Sequence, residues 1–303
     1  PPNKLPSFVQ YLLLDFNIDS LDGEVRAMPG GNVTVARSVQ PGLNNYPAVA
    51  TQLRMQEFNR VKSWIPNPPS PPYKEPPVKP YTAGAGQYPT VGRAALFSAM
   101  LSNGYGPTIG NDIQNALRNL GNSLGELKSY SMQQGIPDIA VYVGFSLSGG
   151  TGAGLFIDVL QLLINELSTQ LAGNKVTIIP IVYLPSTFDG VLNPAMRKRA
   201  ELNCAQGILD LQSLVASRQN HVPALTKMFT IDYPGGLKIS NAQLGDDEPA
   251  FPAISVVRKA AGMRQDDLGR AVAASVVAQL SYDTQKQTVD GQKTSNGFAA
   301  DII

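Results

Sequence analysis

Two glycine-rich runs carry the residues best suited to chemistry. Gly84-Ala85-Gly86-Gln87 leads through Tyr88-Pro89-Thr90-Val91-Gly92-Arg93 into an Ala/Leu-rich stretch. Ser148-Gly149-Gly150-Thr151-Gly152-Ala153-Gly154 follows an apolar run and precedes another. Glycines carry no Cβ, so successive backbone N–H groups can turn together toward an anion. Each run opens into a helical pattern, and a helix N-terminus adds partial positive charge where a phosphate would rest. Thr151 supplies a hydroxyl. The chemistry is polyphosphate binding from two sides, with a flexible Gly-Ala-Gly hinge as the plainer alternative for residues 84–86. The spacing fits neither GxxxxGK[ST] nor GxGxxG. A nucleophilic role for Ser148 is disfavoured, because the single His221 lies in another region and GxSxG is absent.

These loops need rigid elements behind them. Residues 139–145 (IAVYVGF) form a β-branched and aromatic run of strand length, and apolar residues on a helical period occupy 155–164. The stretch 8–15 reads as a buried strand ending at Asp15. Residues 176–184 (VTIIPIVYL) read as a nearly all-apolar strand of a parallel sheet covered on both faces. Residues 16–60 read as irregular and then helical from about Ala48 to Val61. Helices are expected over 91–130 with a break at 102–111, over Arg197–Ala216 and over Asp266–Tyr282, with a short strand at Lys227–Asp232. Strands alternating with helices predict an α/β fold, a doubly wound, mainly parallel sheet flanked by helices, with ligand at the carboxyl ends of the strands. Residues 63–80 (SWIPNPPSPPYKEPPVKP) are too proline-dense for a helix or central strand. They read as an extended insertion loop, or alternatively as a ligand for a proline-binding adaptor protein.

Composition narrows the classes. With 303 residues, 43% hydrophobic and 16% charged, the chain can bury a sizeable core. A net charge of +1 gives no reason to expect nucleic acid or an anionic membrane as partner. One Cys and one His exclude an intramolecular disulfide and make no zinc set. No stretch approaches the roughly 20 apolar residues of a bilayer span, and no signal-peptide pattern opens the chain, so the expected compartment is the cytoplasm.

The order of the motifs adds a resemblance. Ser148-Gly149-Gly150-Thr151-Gly152-Ala153-Gly154 resembles the tubulin/FtsZ signature, and Gly84 through Arg93 resembles the terminal-phosphate loop of FtsZ. Pro185-Ser186-Thr187-Phe188-Asp189-Gly190 is similar to its ribose loop, with Asp189 in the acidic place. A basic cluster, Arg197-Lys198-Arg199, follows near the position of a nucleotide-contacting arginine, and either Arg197 or Arg199 fits, with a solvated helix start as the alternative. Asn203 resembles the asparagine that contacts guanine, or is an exposed helix residue. Gln265-Asp266-Asp267-Leu268-Gly269-Arg270 resembles the start of the long central helix, where Asp266 would accept from N1–H and the exocyclic amine of guanine. Asp266 and Asp267 equally suit the first turn of any helix. Asn296 and Asp301 match the loop after that helix, which enters the next subunit's pocket, while Phe298 replaces its first acid; an ordinary surface turn is the alternative. Asp15 or Asn17, where FtsZ has a loop near the phosphates, would meet Mg²⁺ through water, with an ordinary capped turn after a strand as the alternative.

The resemblance, closest to divergent prokaryotic tubulin-like proteins, runs from about residue 8 to residue 303. It implies a GTP-binding domain over 1–265 and a central helix with catalytic-type loop over 266–303. The family's first glycine loop, expected before residue 8, is missing, and the chain ends where a second domain would begin, so it reads as truncated. The implied function is a GTP- and GDP-binding, GTP-hydrolysing protein that self-assembles head to tail, with Asn296 and Asp301 of a neighbour completing catalysis and Mg²⁺ held mainly by phosphates and water. The implied nucleotide residues are Gly84, Ala85, Gly86, Gln87, Ser148, Gly149, Gly150, Thr151, Gly152, Asp189, Asn203 and Asp266. The alternative is a non-polymerising guanine-nucleotide-binding scaffold or regulator, which Phe298 and the missing first glycine loop favour. A dinucleotide oxidoreductase lacks support, since GxGxxG and its ribose acid are absent.

Overall fold

The computed structural model describes residues 9–15, 33–37, 45–55, 64–65, 76, 80–81, 84–101, 115–116, 118–123, 139–170, 176–219, 255–257, 264, 267–274 and 276. Strand β1 (Tyr11–Asp15) pairs in parallel with β2 (Val33–Arg37). Helices α1 (Tyr46–Met55) and α2 (Pro89–Leu101) precede β3 (Ile139–Ser146), α3 (Gly150–Gln170) and β4 (Val176–Tyr183). A 3₁₀ turn (Pro185–Phe188), α4 (Pro194–Gln219) and β5 (Ser255–Val257) follow. The second sheet runs β3-β4-β5, all parallel.

Period-two alternation covers both faces of this sheet. Ile139 and Phe145 of β3, with Ile178 and Val182 of β4, face the core that includes Leu155 and Leu160 of α3. Ile181 and Tyr183 face the other way, onto Leu268, Val272 and Val276, one stripe of the helical residues 267–274 and 276. Phe145 stacks on Phe156 with centroids 5.0 Å apart, seating α3 on β3. The fold is therefore α/β, with parallel strands and a helix on each face of the three-stranded sheet. Because β3 and β4 are parallel and Ser146 pairs with Tyr183, the loops that leave their carboxyl ends emerge on one edge.

Several boundaries differ from the sequence reading for local reasons. β2 lies in the stretch read as irregular, and at five residues its alternation is brief. β5 spans three residues, too few for any periodicity. Helix α1 begins at Tyr46 because the Asn45 side chain accepts from the Ala48 N–H at 3.1 Å. Helix α4 begins at Pro194, since Asn193 Oδ1 accepts from the Met196 N–H at 2.9 Å and proline suits the first helical position. The strand expected at Lys227–Asp232 and nearly all of the proline-dense stretch lie outside the described residues. Where the latter is described, Trp64 and Ile65 join the core and Pro76 is buried. Among the described residues no helix is long and apolar enough to cross a membrane.

Candidate functional site

The two glycine runs meet. Helices α2 and α3 cross at their N-terminal ends with backbone against backbone. A Cβ at Gly154 would collide with the Pro89 carbonyl oxygen and stand 2.9 Å from the Arg93 nitrogen. A Cβ at Gly92 would collide with the Gly150 carbonyl oxygen. One at Gly150 would stand 2.6 Å from the Ala85 oxygen and 2.8 Å from the Tyr88 oxygen. Only glycines permit this approach, and it brings both helix N-termini toward one place. Gly84 and Gly86 hold φ of +77° and +58°, the left-handed region in which a Cβ is strained.

Polar groups then stitch the loops. The Gly150 N–H donates to the Gly86 carbonyl at 2.6 Å. The Asn203 amide donates from Nδ2 to the carbonyls of Gln87 at 3.2 Å and of Ser148 at 3.4 Å. Asn203 reaches them because Gly207, one turn later on α4, rests directly on Leu147, where a Cβ would come within 2.8 Å of its side chain. Ala200, Cys204, Gly207 and Leu211 form the buried stripe of α4 that holds the helix there. The Gln87 side chain donates from Nε2 to the Met196 carbonyl at 2.7 Å, fixing the first loop to the start of α4. Burial raises the pKa of the Cys204 thiol on this stripe.

The structure thus brings Gly84, Ala85, Gly86, Gln87, Ser148, Gly149, Gly150, Thr151, Gly152 and Asn203 into one cradle. Not all present donors to it: the Gly150 amide is engaged by Gly86, and the Ser148 amide donates to Ser146 Oγ at 3.1 Å. Ser148 Oγ is the exception among the buried hydroxyls of the described residues. The residue is 3% exposed, yet its hydroxyl has no hydrogen-bond partner among the described residues. A buried hydroxyl beside a helix N-terminus, left without a partner, fits an anionic ligand that would accept from it.

Asp189 lies at the end of the turn after β4, on the same sheet edge, where Arg197 pairs with it at 3.3 Å and with Glu201 at 3.3 Å. Arg199 lies with its guanidinium 4.7 Å from the centre of the Tyr88 ring, a cation–π contact beside the first loop. Asp266, Asn296, Asp301 and Phe298 lie outside the described residues.

One pair escaped the sequence reading. Arg93 of α2 forms a bidentate ion pair with Asp158 of α3, Nε to Oδ2 at 2.9 Å and Nη2 to Oδ1 at 3.1 Å. Asp158 is 1% exposed; burial pushes its pKa up and the Arg93 charge opposes this. The Arg93 guanidinium also lies 5.1 Å from the Trp64 ring centre and 5.5 Å from that of Phe97. A signal was present: Asp158 is the one acid within the apolar helical run 155–164, and a buried acid needs a cation.

Comparison with known families gave a match of the model described as tubulin like to residues 2–300. Comparison with curated proteins and with solved structures gave no significant match.

Proposed function

The chain belongs to the tubulin-like family, and from that premise we propose that it binds GTP and GDP on the joined glycine loops and hydrolyses GTP when it self-assembles head to tail. The observation that carries the reading is the joined pair of loops, in front of two helix N-termini, with the buried Ser148 hydroxyl left without a partner. The polyphosphate would lie across them. First-turn amides of α3 at Thr151 and Gly152, the amide of Gly149 and the hydroxyls of Ser148 and Thr151 donate to its oxygens. Gly150 acts as the spacer that lets Ala85 and Tyr88 approach, and Gly84, Ala85 and Gly86 form the opposite wall. Asp189 would meet the ribose. With Asn203 Nδ2 committed to the two loop carbonyls, its Oδ1 is the atom left to accept from the guanine amine, and Asp266 takes the purine's N1–H edge.

Catalysis in this reading is positioning and electrostatics around an attacking water. Asn296 and Asp301 of the next subunit orient that water. Bound Mg²⁺ would neutralise phosphate charge, its water shell held by Asp15 at the end of β1. Exposed Leu202 and Leu209 on α4, 63% and 57% accessible, give an apolar surface on the helix face turned away from the loops that fits a second copy of the chain. We place residues 1–265 in the nucleotide-binding domain and 266–303 in the central helix and its loop, within a doubly wound sheet, and we propose the cytoplasm as the compartment.

The test combines nucleotide content after purification, sedimentation on GTP addition and hydrolysis against protein concentration. Specific activity should fall on dilution, and Asp301→Ala should keep GTP binding while losing assembly-dependent hydrolysis. Activity independent of dilution would sink the shared site. GTP binding without sedimentation or hydrolysis would instead favour the non-polymerising scaffold.

A further inference from the structure

We propose that Arg93 and Asp158 are a positioning pair that sets the spacing of the two glycine loops. The inference rests on the reading that both loops hold one polyphosphate. Arg93 lies four residues past Pro89, where the first loop becomes α2, and Asp158 lies two turns into α3 beyond the second loop. Each side chain therefore belongs to one loop's supporting helix, and the pair ties those helices together where their backbones already touch at Gly92 and Gly154. Glycine-to-glycine contact alone is smooth and leaves the helices free to rotate or slide against each other. A planar guanidinium fork on a carboxylate permits one relative arrangement, because both N–H···O bonds must be made at once.

Trp64 adds the third part. Its ring lies 5.1 Å from the Arg93 guanidinium and meets Phe97 edge-on at 5.4 Å, so the arginine fork rests against a pair of rings that touch each other. Asp158 is buried and Arg93 is 29% exposed. A buried ion pair of this kind contributes little net stability compared with apolar residues of the same volume, so what it supplies is register. The pair joins the two supporting helices, and it acts through the two loops.

The experiment uses the full chain and two variants, R93M/D158L and R93K. The double variant replaces the pair with apolar side chains; the single one keeps the charge and loses the fork. Three quantities are measured: the thermal midpoint, backbone hydrogen exchange at residues 84–88 and 148–152, and GTP affinity. R93M/D158L should melt within about 5 °C of the parent. Its exchange should rise about tenfold at both loops and stay unchanged in β3 and β4. GTP affinity should fall about tenfold. R93K should show the same loop-confined rise to a smaller degree, and it decides the matter if the double variant does not fold. Unchanged loop exchange overturns the proposal, as does a uniform rise across the whole fold, which would mark a merely structural pair. Should the parent bind no GTP while loop exchange still responds, the positioning role stands and the nucleotide reading falls.

Discussion

Asn203 carries two backbone carbonyls on one amide nitrogen, and that makes it the most informative single residue of the cradle. Asn203→Ala leaves the Gln87 and Ser148 oxygens without their donor, which should cost about 1–3 kcal/mol of stability, measurable in chemical denaturation. The same change should weaken GTP binding about tenfold by titration calorimetry, since the loops lose a stitch and the base would lose its proposed contact. The neighbouring Cys204 gives an internal reporter. Burial raises its pKa, so at a given pH less of it is thiolate than of an exposed cysteine, and thiolate is the reactive form. Labelling by a thiol reagent at neutral pH should be slow in the parent and faster in Asn203→Ala. Equal rates in both would show that α4 is held independently of the stitch.

At the scale of elements, the crossing of α2 and α3 is the feature on which the site depends. Gly154→Ala places a methyl group against the Pro89 carbonyl and the Arg93 nitrogen, both of them backbone and unable to rotate away. The helices must separate, and we expect a loss of about 1–3 kcal/mol or more, with lowered nucleotide affinity. Retention of the parent's melting midpoint would contradict the observed approach. Asp158→Asn tests the same contact from its charged side. It leaves the Arg93 guanidinium without its carboxylate, and removing one partner of a buried pair costs about 3–5 kcal/mol. Trp64 is the single tryptophan of the chain, so its fluorescence reports directly on the Arg93 contact in either variant.

For the whole molecule, the question is whether copies associate through the exposed face of α4. Leu202 and Leu209 are a helical heptad apart on α4 and face away from the stripe that packs on Leu147. The double variant Leu202→Lys/Leu209→Lys should leave monomer stability within about 0.5 kcal/mol of the parent, because both side chains are already in solvent. GTP-dependent sedimentation should be lost while GTP binding is kept. Sedimentation at the parent's level would remove this face of α4 from any contact between copies.

Local chemistry made the loops legible from residue order alone. The glycine runs, their place between strand and helix patterns, and the apolar alternation of β3 and β4 all express short-range steric and period rules, which a sequence states directly. Asn203 was singled out as a residue of the site, but its observed partners were not foreseen. They depend on Gly207 bringing α4 against Leu147, a contact between segments far apart in the chain. Hydrophobic pattern gave little guide on α4, whose buried stripe is small residues at Ala200, Cys204 and Gly207 before Leu211, while Leu202 and Leu209 point outward. The Arg93–Asp158 pair was hidden for a related reason. Its two members are 65 residues apart, and a lone acid in an apolar helix announces that a cation is required without saying which one. The sequence alone determined that glycine-rich strand-to-helix loops and parallel strands would form. Only the tertiary structure decided how the loops meet, because that spacing is set by backbone contacts at glycines and by an ion pair whose partners become neighbours once α2 and α3 have packed.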